Sequence, residues 1–91
     1  MKISHLEVYR CLAALSSAGF DLERAMHTSI VEGNGALHDA VITVAKSIGK
    51  GTTLSGALAK HPEVFPLSDR AMIEAGEKLG RLPEVFKALV E

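Results

Sequence analysis

The sequence is poor in what several protein classes need. It has one cysteine, Cys11, among 91 residues, so an internal disulfide or a zinc site built on several cysteines is excluded. Cysteine scarcity fits a reducing compartment. Aromatic residues are 4% of the chain and tryptophan is absent. No stretch alternates cleanly between apolar and polar, so a sheet protein, whose strands favour β-branched and aromatic side chains, is disfavoured. The longest run free of Asp, Glu, Lys and Arg is the ten residues from Cys11 to Phe20. A membrane helix needs about 20. The start, Met1-Lys2-Ile3-Ser4-His5-Leu6-Glu7, meets an acid too soon to read as the apolar segment of a signal peptide. Ten basic and eleven acidic residues are scattered to a net charge of −1. The broad single-sign footprint of a nucleic-acid binder is missing.

What is present is helical periodicity. Apolar residues are 47% of the chain, enough for one modest core in one domain covering residues 1–91. Val8, Leu12 and Leu15 recur at helical steps and predict a helix over 4–18. Gly19 suits the left-handed position after its last turn. Asp21 then caps a helix over 22–32, with Leu22, Ala25, Met26, Ser29 and Ile30 facing inward. Gly33-Asn34-Gly35 breaks the chain. Leu37, Val41, Val44 and Ile48 form one stripe of a helix over 36–49. Thr53 is the N-cap of a short helix over 54–60 that buries Leu54, Ala57 and Leu58, and His61-Pro62 stops it. Val64 and Phe65 tuck inward from a connector. A fifth helix covers 67–79, with Ala71, Met72, Ala75 and Leu79 as its expected core. Pro83 opens a sixth, whose apolar face is Val85, Phe86, Leu89 and Val90.

The pattern is therefore all-α, with six helices. It also repeats: Gly19, Gly51 and Gly80 each sit between two helices, which predicts three helical hairpins. Gly19-Phe20-Asp21-Leu22 with Ala25 matches Gly51-Thr52-Thr53-Leu54 with Ala57. Hairpins at this spacing leave a tetratricopeptide-like peptide-binding scaffold open as an alternative, although the aromatic and proline pattern of that repeat is missing.

At Gly76-Glu77-Lys78-Leu79-Gly80-Arg81-Leu82 the sequence resembles the cytoplasmic F domain of the type II secretion and type IV pilus inner-membrane platform proteins, the GspF/PilC family, which carries a Gly-Glu-x-x-Gly-x-Leu motif. Leu12-Ala13-Ala14-Leu15, followed by Ala18-Gly19-Phe20-Asp21-Leu22 and Ala25-Met26, is similar to a second block of that family. Gly51-Thr52-Thr53-Leu54-Ser55-Gly56-Ala57-Leu58, then His61-Pro62 and Phe65-Pro66, is similar to a third. The departures are Cys11, near which the family often has glutamine, and Ser16, usually a bulkier apolar residue. The resemblance implies an antiparallel six-helix bundle without enzymatic activity and without a cofactor. It implies a domain excised from a longer membrane protein, facing the cytoplasm at the bacterial inner membrane, where membrane contact comes only through segments outside this chain. The implied partners are the assembly or secretion ATPase and other platform components. Alanine- and glycine-rich faces able to pack closely leave a self-associating structural module, a dimer, open as an alternative reading. The implied task is to couple the ATPase to pseudopilin or pilin extraction. No nucleic acid is implied.

The residues that could carry interaction or chemistry are few. Gly76, Glu77, Gly80, Leu82, Gly19 and Gly51 mark the motif and the hinges. Glu77, between two small residues, reads either as a carboxylate capping a neighbouring helix or as an exposed acid at an oligomer, partner or cation site. Glu74 is one turn back, with Lys78 at i+4 as an ordinary surface pair. Glu74, Glu77 and Glu84 could contribute to a cation site, with Glu74 and Glu77 the candidates for a weak one, but calcium wants six to eight oxygens and no Asp-rich loop is present. His5, His27, His38 and His61 lack the spacing that puts two ligands on one helix face. Cys11 lies in apolar periodicity and reads as core rather than nucleophile. Gly49-Lys50-Gly51-Thr52-Thr53 lacks the order of a phosphate-binding loop. Arg10, Arg24, Arg70 and Arg81 are candidate partner contacts, since the guanidinium fork pairs well with carboxylates.

Overall fold

In a computed structural model that describes residues 4–29 and 35–91, six helices follow one another: α1 (His5–Ser17), α2 (Leu22–Thr28), α3 (Ala36–Gly49), α4 (Leu54–Leu58), α5 (Leu67–Leu79) and α6 (Leu82–Val90). No strand occurs among the described residues. Two helix starts, those of α2 and α4, are held by side-chain acceptors. Asp21 Oδ1 accepts from the Arg24 N–H at 2.9 Å, and Thr53 Oγ1 accepts from the Gly56 N–H at 3.2 Å. Each satisfies one of the free donors at a helix N-terminus.

The ends of α1, α3 and α5 share one device. Gly80 has φ +69°, a left-handed conformation that costs a residue with a Cβ about 1–2 kcal/mol. It turns the chain so that the Arg81 N–H reaches back to the Gly76 carbonyl at 2.8 Å. The same five-residue reach recurs after α1, from Phe20 to Leu15, and after α3, from Thr52 to Ser47, both at 3.0 Å. The repeated glycine pattern in the sequence is thus a repeated helix stop, the Schellman arrangement.

The core draws on all six helices and on the α4–α5 connector. Val8, Tyr9 and Leu12 enter from α1, Ala25 and Met26 from α2, and Ala40, Val41, Val44 and Ala45 from α3. Leu54, Ala57, Leu58, Phe65, Ile73 and Phe86 complete it. Val64 is half-buried against this cluster. Each helix packs on the next in sequence, and α1 packs most extensively on α6. The chain thereby closes on itself. In a solenoid each repeat touches only its neighbours, so this closure rules out tetratricopeptide-like stacking.

Several expectations need correction. α5 turns a different face inward from the one expected: Ala71, Met72, Ala75 and Leu79 are exposed, while Ile73 and Gly76 are buried. The cause is that α5 must present Gly76 to α6 and Glu77 to α4, and both demands rotate Ile73, not Leu79, onto the core. Cys11 is only half-buried because Leu12 takes the inward position. The helical span of α2 ends at Thr28, with Ser29 as its C-cap. Its expected continuation to 32, together with Ile30, Gly33 and Asn34, falls outside the described residues. α4 ends at Leu58 and α6 begins at Leu82, one residue before Pro83.

Candidate functional site

The motif residues converge where α4, α5 and α6 meet. Glu77 leaves the inward side of α5 and reaches the start of α4. Its Oε2 accepts from the Ser55 backbone N–H at 3.1 Å, and its Oε1 accepts from the Ser55 hydroxyl at 2.5 Å. α4 has five residues, too few to persist alone. Two of its first donors are held, one by its own Thr53 and one by Glu77 from another helix. A carboxylate at a helix N-terminus is also favoured by the backbone partial charges there.

Gly76 answers a packing demand. A Cβ placed on it would lie 2.6 Å from Val85 Cγ2 of α6, closer than carbon atoms approach. The bare backbone at 76 therefore lets α6 lie against α5. Gly80 supplies the turn described above, and Leu82, at the first position of α6, is half-buried against the core. Gly19 and Gly51 lie at the corresponding turns after α1 and α3, with φ +93° and +98°. The sequence motif is brought together as one joint. Glu74 lies apart from it: it faces solvent and pairs with Lys78 at 3.9 Å. Among the described residues, no group of three or more His, Cys, Asp or Glu is placed to hold a metal ion.

A second polar joint had no motif to mark it. The Tyr9 hydroxyl of α1 donates to Asp69 Oδ2 of α5 at 3.0 Å, and His5 Nε2 lies 3.6 Å from the same oxygen. The His5 and Tyr9 rings meet edge to face. Burial, and then the charge of Asp69 and its hydrogen bond, push the Tyr9 phenol far above its ordinary value. The signal in the sequence is the chain's single tyrosine, one residue after Val8 and three before Leu12 in the buried stripe.

The four arginines take separate paths. Arg10 pairs with Glu7, Arg24 lies over the Phe20 ring at 5.8 Å, and Arg70 Nε donates to the Phe65 carbonyl at 3.0 Å. Arg81 is exposed and lines an apolar groove between α5 and α6. His61 is half-buried, and its Nε2 has no hydrogen-bond partner among the described residues.

A small all-helical domain, whose motif side chains are engaged in joining its own helices, is the class that this fold and joint define. The family model for type II secretion system (T2SS), protein F, matches residues 8–91, and the chain belongs to that family. It is 34% identical over 85 residues to a type II secretion system protein F of Aeromonas hydrophila, covering 92% of this chain and 22% of that protein. It is 31% identical to a type II secretion system protein F of Vibrio cholerae, covering 92% and 21%. It is 31% identical over 83 residues to a type IV pilus assembly protein PilC of Thermus thermophilus, covering 90% and 20%. The chain spans about a fifth of the length of these curated relatives. None of its helices, among the described residues, is long and apolar enough to cross a membrane.

Proposed function

We propose that this chain is a contact domain, working without catalysis, of an inner-membrane platform protein for type II secretion or type IV pilus assembly. It faces the cytoplasm, docks the assembly ATPase, and passes ATPase movement toward pseudopilin or pilin extraction. The three glycine-hinged helix pairs are its building units, arranged as an antiparallel bundle. The observation that carries this reading is the match over residues 8–91 to protein F, together with relatives from both secretion and pilus systems. A second observation agrees with it: Gly76, Glu77 and Gly80 are engaged within the bundle, which leaves outward faces, not a reactive cleft, for the work.

The test is binding of the 91-residue chain to the purified secretion or pilus ATPase of the same organism, followed by light scattering or interferometry. Saturable association at micromolar concentration is expected. No association at high micromolar concentration, with the longer membrane protein equally inert, overturns the docking role.

Self-association of the domain is a second part of this reading. It is favoured by the exposed apolar face of α5, where Leu67 and Leu79 are 71% and 72% exposed.

A further inference from the structure

Asp69 is a mostly buried anion with few partners. Its side chain is 18% exposed, and it lies in the first turn of α5. Its Oδ2 accepts from the Tyr9 hydroxyl at 3.0 Å. Among the described residues no lysine or arginine pairs with it: Arg70, the next residue, donates to the Phe65 carbonyl, and Arg10 is held by Glu7. A carboxylate drawn out of water with no cation beside it carries an uncompensated desolvation cost.

His5 of α1 faces the same oxygen. Its Nε2 lies 3.6 Å from Asp69 Oδ2. That is too far for a hydrogen bond, whose N···O separation reaches about 3.2 Å. Two atoms that each sit about 2.1 Å from a tetrahedral cation lie about 3.4 Å from each other. The gap therefore suits a shared cation better than a hydrogen bond. Both side chains are also braced. Tyr9, itself 1% exposed, holds the carboxylate through its hydroxyl and meets the imidazole edge to face, with ring centroids 5.5 Å apart. Outer contacts of this kind orient the groups that bind metals.

We propose that His5 Nε2 and the Asp69 carboxylate bind one divalent transition cation of the zinc class, which clamps the start of α1 to the start of α5. The imidazole binds as the neutral ring, with the lone pair on Nε2 and the proton on Nδ1. The donors select the metal. Imidazole suits zinc, copper and nickel, whereas calcium and magnesium take oxygen donors. No third His, Cys, Asp or Glu among the described residues joins the pair, so water completes the coordination through the exposed side of the His5 ring, which is 29% exposed. Two protein donors make a weak site, whose occupancy follows the surrounding metal concentration. The fold does not depend on it, because the core and the Tyr9–Asp69 bond stand without the cation. The site is independent of the contact role proposed above.

Zinc titration of the 91-residue chain, free of any histidine tag and in a Cys11→Ala background that removes the competing thiol, tests the clamp. The imidazole nitrogens are followed by NMR, from micromolar to millimolar zinc at constant neutral pH. The His5 signals should move and saturate, with Nδ1 keeping its proton, while those of His27 and His61 stay in place. Zinc at ten times its Kd multiplies the folded-to-unfolded ratio about elevenfold, which is several degrees of Tm in a domain of this size. Magnesium at the same concentration should leave both readouts unchanged. His5→Ala and Asp69→Asn should each weaken zinc binding at least tenfold. His5→Ala without metal should melt close to the parent, since His5 makes no hydrogen bond to Asp69, and Asp69→Asn keeps an acceptor for Tyr9. His5 signals that stay in place at millimolar zinc overturn the proposal. So does a zinc response that survives in both variants.

Discussion

Glu77 and Ser55 lie 22 residues apart, and the carboxylate of the first takes both the backbone N–H and the hydroxyl of the second. One side chain thus completes the N-terminus of a five-residue helix that its own sequence cannot sustain. Removing it strands a part-buried donor. Glu77→Ala should cost about 1–3 kcal/mol, which for a domain of this size is roughly 4–8 °C of Tm per kcal/mol. Glu77→Gln, which keeps one acceptor oxygen, should recover part of the loss. Ser55→Ala should cost less than Glu77→Ala, because the backbone N–H bond remains. Thermal unfolding followed by circular dichroism orders the three. Equal stability of Glu77→Ala and the parent would remove the cap from the list of what holds α4.

Gly76 and Val85 make a more local demand. Alanine in mid-helix gains up to about 1 kcal/mol of helix propensity over glycine. The added Cβ, at 2.6 Å from Val85 Cγ2, forces overpacking worth about 1–3 kcal/mol. The clash should win, and Gly76→Ala should be destabilised. Val85→Ala opens the space. The double variant should then be more stable than the two single losses add up to, by about 1 kcal/mol. Urea unfolding of the four proteins closes the cycle, and strict additivity would contradict direct contact.

Gly80 fails differently when substituted. No atom lies within 4 Å of a Cβ built there, so sterics with neighbours play no part. The cost is conformational, set by φ +69°. Gly80→Val should lose about 1–2 kcal/mol, whereas Gly80→Asn, which tolerates the left-handed region, should lose much less. A Tm identical for the two variants would mean that the turn relaxes to another conformation.

These three positions show what could be read from the chain. The glycine turns and the caps Asp21 and Thr53 follow from local rules, because each rests on neighbours within five residues; in α3 the expected stripe holds at Val41 and Val44, while Leu37 and Ile48 are half-buried and Ala40 and Ala45 take fully buried places. α5 was misread for the opposite reason. Its longest apolar row, Ala71, Ala75 and Leu79, is the one that faces out. Its orientation is fixed by contacts with other helices: Gly76 against Val85, Glu77 on Ser55, Asp69 under Tyr9. Periodicity identifies an apolar stripe without knowing which side of the helix the rest of the chain occupies. The motif marked Gly76 and Glu77 as special, yet their partners, Val85 and Ser55, carried no mark. Tyr9 and Asp69, 60 residues apart, had no sequence signal linking them.

Tyr9 makes that hidden joint measurable through alkaline pH. Its phenol is buried and hydrogen-bonded to Asp69, and both effects hold its proton in the folded state well beyond the ordinary value. The unfolded chain releases that proton near pH 10. Below about pH 10 both states are protonated and the contribution of Tyr9 is complete. Above it the unfolded state binds fewer protons than the folded one. Stability therefore falls as pH rises, by up to about 1.4 kcal/mol per pH unit from this group. Tyr9→Phe lacks the hydrogen bond and should be less stable near neutrality by about 0.5–1.5 kcal/mol. It also lacks the alkaline loss. The two stability curves should converge above about pH 10 and then cross. Tyr9 is the chain's single tyrosine, so tyrosinate absorbance reports it alone. That signal should rise together with unfolding in an alkaline titration. A gradual rise centred near pH 10 in a protein still folded by circular dichroism would mean that the phenol is open to solvent, and that α1 and α5 are not joined there.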